Sequence, residues 1–198
     1  MNDKMNHGVS LWGIVAALAM LTGCSNDNEE TGTPANGRVA LEVTGGIQVN
    51  TRAHDNQWDA NDAIGIYMLA PGTTEVAEDA KNRHYTTKTG GETGTFRPAE
   101  AGQTVYFPID GSEVDFLAYY PYRTPLENDV YKVDVSRQEV QKDIDLMVSE
   151  APVTGDKFSP AVAFRFKHRL VNLRLTIKTD GKVLTDEALE GMTVGITS

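Results

Sequence analysis

Apolar residues recur along this chain in two regimes. Near the start they form one unbroken run, and from Val39 onward they fall on every second residue. Alternation of this kind is the signature of strands with one buried face. Val39, Leu41 and Val43 share a face against Ala40, Glu42 and Thr44, and Gly45-Gly46 is expected to turn the chain. Ile64, Ile66, Met68 and Leu69 belong to an expected buried strand that stops at Pro71-Gly72. Gly90-Gly91 and Gly94 are expected to mark turns before Phe96. Val114, Phe116, Ala118 and Tyr120 alternate with Asp115, Leu117 and Tyr119, until Pro121 ends the ladder because it has no N–H to donate. Residues 104–107 precede this strand, and Asp110-Gly111 between them predicts a hairpin. Tyr131, Val133 and Val135 alternate with Lys132 and Asp134, which predicts another strand, with a shorter one over residues 145–148.

The last alternating stretch changes phase. Val162, Phe164, Phe166, His168 and Leu170 share one face, whereas Val171, Leu173, Leu175 and Ile177 continue one residue out of step. A single flat strand would place one of these sets in water. A bulge near residues 168–171, or a strand passing from one sheet to another, is therefore predicted. Residues 171–176 also echo residues 39–44, which suggests a second domain opening like the first. Seven or so short strands with turns between them, and no convincing amphipathic helix, predict an all-β antiparallel β-sandwich.

The early run, residues 9–24, is too short to span a bilayer, which takes ~20 apolar residues. It follows a short polar start carrying Lys4 and reads as the core of a secretory signal. Leu21-Thr22-Gly23-Cys24 has the form of a bacterial lipobox: an apolar residue, two small ones and a cysteine. The Cys24 thiol would receive a diacylglycerol and its freed amine a further chain, and several chains on one residue anchor stably where one is marginal. Cys24 is the only cysteine of the chain, so no internal disulfide can form, and lipidation gives it a use. The polar, acidic residues that follow show no periodicity and read as a disordered tether. Acids directly after the cysteine resemble a surface-export signal; a plain solvated linker is the alternative. The expected organisation is signal peptide 1–23, tether 24–37, N-terminal β-sandwich domain 38–160, and over 161–198 a last strand or the start of an incomplete second β-sandwich domain.

The formal net charge of -10 argues against nucleic acid and anionic lipid surfaces as partners, since both reward positive patches. No nucleophile elbow, phosphate loop, zinc-protease helix or cysteine pair is present, so neither catalysis nor a cofactor or metal is expected. Asp59-Ala60-Asn61-Asp62 begins like a calcium loop but meets Ala63 and Ile64 where a ligand and a glycine are needed, so a capped turn is expected. His168 reads as a strand-end histidine. Asp143 and Asp145 alternate on one side of a strand, as surface acids do. Trp58, Tyr119, Tyr120 and Tyr122 could build an aromatic platform for a glycan, with Trp58, Tyr119 and Tyr122 as contacts, or could simply pack.

Five blocks in order carry a family resemblance: Thr51-Arg52-Ala53; Trp58-Asp59; Asp62-Ala63-Ile64-Gly65-Ile66-Tyr67; the run from Val114 through Asp115-Phe116-Leu117-Ala118-Tyr119-Tyr120-Pro121 to Tyr122; and Asp145-Leu146-Met147 followed by Phe166-Lys167-His168-Arg169-Leu170. Behind a lipobox, this order is similar to the fimbrillin-like lipoproteins, which include type V pilins and their minor subunits. The resemblance implies transthyretin-like β-sandwich domains, usually two per subunit, and an outer-membrane lipoprotein displayed at the cell surface. It further implies cleavage by an arginine-specific protease near the first strand, and replacement of that strand by one from a neighbouring subunit. The candidate scissile residues are Arg52 and, second, Arg38; Arg52 paired with a nearby Asp is the alternative. The expected role is a pilus subunit, anchor or surface adhesion component. Its expected partners are the outer membrane, other pilus subunits, and a host or glycan ligand. A lipid-anchored glycan-binding module is the other reading. A full second domain and a C-terminal donor strand are not found in these residues, so a fragment, a truncated product, or an anchor or tip subunit is expected.

Overall fold

The computed structural model describes residues 37–48, 56–136 and 138–171, together with Thr176, Lys178, Thr185, Glu187, Glu190 and Gly191. The signal, Cys24, the tether, Arg52 and the expected opening of a second domain fall outside the described residues.

Among the described residues the chain forms strands β1 (Glu42–Ile47), β2 (Ala63–Leu69), β3 (Arg83–Thr87), β4 (Thr93–Pro98), β5 (Val114–Tyr120), β6 (Met147–Ser149), β7 (Val153–Gly155) and β8 (Ala161–His168). Single turns of 3-10 helix occupy Ala101–Gln103 and Gln141–Asp143. Hydrogen-bonded neighbours run β2-β3-β4-β1-β8-β6-β5, and β5 pairs back onto β2. Seven strands thus close a ring among the described residues, with β7 paired to β5 beside β6. The all-β expectation holds, but the arrangement is a closed, barrel-like sheet. It is not purely antiparallel either, because β1 and β8 run parallel from Glu42↔Ala161 to Ile47↔Phe166. Closing the ring removes the two free edges that an open sheet would present.

The core is built from the alternation. Leu41 and Val43, then Ile64, Ile66 and Met68, then Val114, Phe116, Ala118 and Tyr120, then Val162, Phe164 and Phe166 all point inward. The phase change after Leu170 has a simple outcome. β8 ends at His168, the bend that follows is fixed by the Arg169 N–H donating to the Leu146 carbonyl at 2.8 Å, and Val171 is 93 % exposed.

Several local expectations are corrected. Gly45-Gly46 does not turn the chain; both lie inside β1, and Gly94 lies inside β4. Residues 104–107 do not form a hairpin with β5. The Asp110-Gly111 turn exists, with Gly111 at φ 82°, but the segment before it lies against the start of β1. There the Leu41 N–H reaches the Val105 carbonyl at 2.9 Å and the Phe107 N–H reaches the Val39 carbonyl at 3.0 Å. Tyr131, Val133 and Val135 form no strand; their segment belongs to the long connection between β5 and β6, where Tyr131 packs edge-on against Tyr119. The polar strand β3 shows no alternation of hydrophobic residues that would predict it. It forms by pairing with β2 and β4 while burying Tyr85 and Thr87.

Candidate functional site: the β1 slot

β1 occupies an interior position, paired antiparallel with β4 over Val43↔Phe96 to Gly46↔Thr93 and parallel with β8. Its ends are fastened as well: the Glu42 N–H donates to Pro160 at 3.0 Å and the Gln48 N–H to Phe166 at 2.8 Å. The inward row is Leu41, Val43, Gly45 and Ile47; Leu41 and Val43 are buried and Ile47 packs against the core from the strand end.

Gly45 interrupts that row for a reason visible in its surroundings. A Cβ there would lie 2.9 Å from the Phe166 ring and 3.2 Å from the Phe96 ring. Its register partner Gly94 is hemmed in likewise, with Phe96 at 2.8 Å and Trp58 at 3.0 Å from the same imagined atom. Two facing glycines therefore make a recess in the sheet, and aromatic rings fill it. Glycine inside a strand commonly marks such a close approach. Trp58 is the centre of the cluster. It meets Phe96, Phe166 and Tyr120 edge-on at centroid distances of 5.0, 5.2 and 5.5 Å. Its backbone exchanges hydrogen bonds with Gly91 at 2.8 and 2.9 Å, and its indole N–H donates to the Gly45 carbonyl at 2.7 Å. A side chain far from β1 in sequence thus grips β1 by its backbone.

Trp58 is 2 % exposed, so it presents no ring face to a sugar. Tyr119 is next to the inward Tyr120 and points to the outer side of the sheet, where it packs against Tyr67 and Tyr131. Its hydroxyl lies 2.7 Å from Asn82 Oδ1 and accepts the Arg123 N–H at 3.2 Å, and burial pushes its pKa up to about 12. Tyr122 is half-buried, with its ring stacked on His84 at 4.0 Å. Burial also lowers the His84 pKa. These aromatics are divided between the interior and the outer face and make no common platform. Packing is thus the reading that holds for these residues, but which face each one takes does not follow from the polar neighbours of Trp58.

Arg38 stands at the entrance to β1 with its guanidinium 4.5 Å above the Tyr106 ring. The peptide bond after it leads straight into the segment paired with residues 105–107. At the other end, Asp59 and Asp62 form a capped turn, with the Asp59 N–H donating to Asp62 Oδ2 at 2.7 Å. Lys142 closes that turn, its ammonium 2.5 Å from Asp62 Oδ1 and 3.1 Å from Asp59 Oδ2. The Tyr120 hydroxyl reaches Asp62 Oδ1 at 3.3 Å, and burial followed by this carboxylate drives its pKa far above the usual value. Among the described residues no group of three or more His, Cys, Asp or Glu could hold a metal. His168 Nδ1 lies 2.7 Å from Asp145 Oδ1, pinning the end of β8 to the segment before β6.

Comparison with known proteins gives the family of the chain. Residues 51–198 match the family model described as fimbrillin-like. A relative from Bacteroides uniformis, "Putative fimbrium subunit Fim1C", is 54 % identical over 183 residues, covering 92 % of this chain and 59 % of the relative. A crystal structure of a "putative cell adhesion protein" from the same species superposes with a TM-score of 0.62 at 52 % identity, covering 79 % of this chain and 57 % of that one. The chain thus spans somewhat over half the length of the relatives it matches. The chain belongs to the fimbrillin-like family.

Proposed function

We propose that this chain is a structural subunit of a surface fimbrium, held at the outer membrane through lipid on Cys24 and assembled by exchange of the β1 strand. The observation that carries the reading is the position of β1. It is flanked by a neighbour on each edge and supplies an inward row of side chains, so its withdrawal would leave two unpaired edges and an apolar furrow. Such a furrow recruits a strand through backbone hydrogen bonds and side-chain pockets, which is β-augmentation. The fimbrial and adhesion names of the relatives support the same role. Arg52 is the proposed scissile residue, because cutting after it severs β1 from everything that follows. Arg38 is the poorer site, since the bond it offers runs into paired backbone. The role needs no turnover. A second domain of the transthyretin-like sandwich type, opening after Leu170 with residues 161–168 as the last strand of the first, belongs to this proposal; the greater length of the relatives and the phase change after Leu170 support it.

The test is expression in a host that carries an arginine-specific surface protease. Sheared surface fibres are expected to contain the chain with a new N-terminus at Ala53, read by N-terminal sequencing. Cys24→Ser is expected to move the uncut precursor out of the membrane fraction. A chain recovered only as an intact monomer would sink the proposal.

A further inference from the structure

We infer that the β1 slot selects its occupant by the absence of a side chain at one register position, the one now held by Gly45. This rests on the strand-exchange reading above and adds to it a rule for which strands fit. The backbone contacts of β1 are blind to sequence. The Trp58 indole N–H, which reaches the Gly45 carbonyl at 2.7 Å, would grip the carbonyl of any residue placed there. Selection must therefore come from the inward row. Leu41, Val43 and Ile47 occupy ordinary apolar positions, and close variants of these are tolerated in most cores.

Position 45 is different, because the space is already filled. Phe166 and Phe96 stand 2.9 and 3.2 Å from the place of a Cβ, and neither ring is free to retreat. Both are buried, and both abut Trp58 nearly at right angles, Phe166 at 82° and Phe96 at 85°. Trp58 is itself fixed by two backbone bonds to Gly91 and bears on Gly94 across the sheet. A methyl group at position 45 would have to move this whole cluster. The adjacent Gly46 is a built-in contrast: its nearest neighbour to an added Cβ is the Glu92 carbonyl at an ordinary 3.8 Å. The slot thus accepts a strand of the form apolar-x-apolar-x-Gly-x-apolar and excludes one carrying any side chain at the glycine position. The occupant is the extended strand of a second copy of this chain, whose own residues 41–47 carry glycine in that register.

The experiment uses the full chain with a sequence-specific protease site placed over residues 50–53. The cut protein is diluted from urea with a labelled peptide of residues 38–48, in competition with unlabelled Gly45→Ala, Gly46→Ala and unaltered peptides. Both substitutions reduce backbone freedom alike, so propensity cancels between them. The unaltered and Gly46→Ala peptides are expected to compete within about threefold of one another, and Gly45→Ala at least ~10-fold less well, the scale set by overpacking a filled site. Equal competition by the two alanine peptides would overturn the glycine rule while leaving strand exchange in place. Failure of the unaltered peptide to bind would overturn both.

Discussion

Asp115 is a carboxylate only 8 % exposed in a strand whose other residues are almost all buried, and it survives there because its oxygens are occupied. Oδ2 accepts the Gly72 N–H at 2.8 Å and Oδ1 the Thr154 hydroxyl at 2.6 Å. These bonds favour the ionised form, so they hold its pKa below the usual carboxylate value; the Gly72 N–H is the larger cause and the Thr154 hydroxyl the next. The sign follows from linkage. A folded pKa below the unfolded value, about 3.9, gives stability that is complete above that value and is lost as pH falls through the folded pKa. Asp115→Asn keeps the shape and removes the charge, and is expected to cost ~1–2 kcal/mol at neutral pH. Urea midpoints checked at pH 7 and again below pH 3 should show the difference from the parent chain shrinking. A difference that persists unchanged in acid would mean the charge is not what these two donors hold. Little of this was legible beforehand. Asp115 alternates with Phe116 and reads as a solvent-facing position, and only the approach of Gly72 and Thr154, distant in sequence, gives it partners. For Trp58 both packing and a glycan platform are open in the sequence, because its flanks, Gln57 and Asp59, are polar; the bridge to Gly91 draws it into the core and decides for packing.

At the level of the strands, alternation found what it can find. The runs ending as β2, β5 and β8 were visible because their apolar residues sit two apart, and the phase change marked where β8 stops. The glycines were misread because a turn and a strand interior both tolerate a missing side chain, and only a neighbouring ring separates the two cases. Gly45 and Gly94 make room for Phe96, Phe166 and Trp58. Gly65 plays the same part on the outer face, where β2 meets β5 and the ring closes. Its register partner is Tyr119, whose ring atoms come within 2.2 and 2.6 Å of an imagined Cβ. Tyr119 cannot swing aside cheaply, because its hydroxyl is tied to Asn82 and Arg123. Gly65→Ala is therefore expected to destabilise the fold by ~1–3 kcal/mol, measured by denaturant unfolding. The clash is specific to this pair, so the cost of Gly65→Ala should be much smaller when introduced into a Tyr119→Ala background. That non-additivity is the signature of contact, whereas additive losses would place the strain elsewhere. The closure itself was not foreseen, since periodicity tells which face of a strand is buried but not which strand lies beside it.

For the molecule as a whole, the consequence of a closed sheet is that no strand can leave without opening it. β1 pairs on both edges and carries Leu41 and Val43 into the common core, and Trp58 holds it from the far side of the proposed cut. Cleavage after Arg52 removes none of these contacts. It removes only the covalent link, which had kept β1 at an effective concentration in the millimolar range for a short connection. The cut chain should therefore remain one particle under native conditions, with the segment ending at Arg52 co-eluting with the remainder in gel filtration and separating only in urea. Its urea midpoint should fall below that of the intact chain and rise with protein concentration, because refolding has become bimolecular; the intact chain should show no such dependence. This outcome would explain why exchange needs an incoming strand: the resident β1 is displaced step by step as a competitor pairs in its place, and the sheet is never left empty. If instead the segment elutes alone from the folded remainder, the sheet contacts do not hold β1, and cleavage by itself would open the slot.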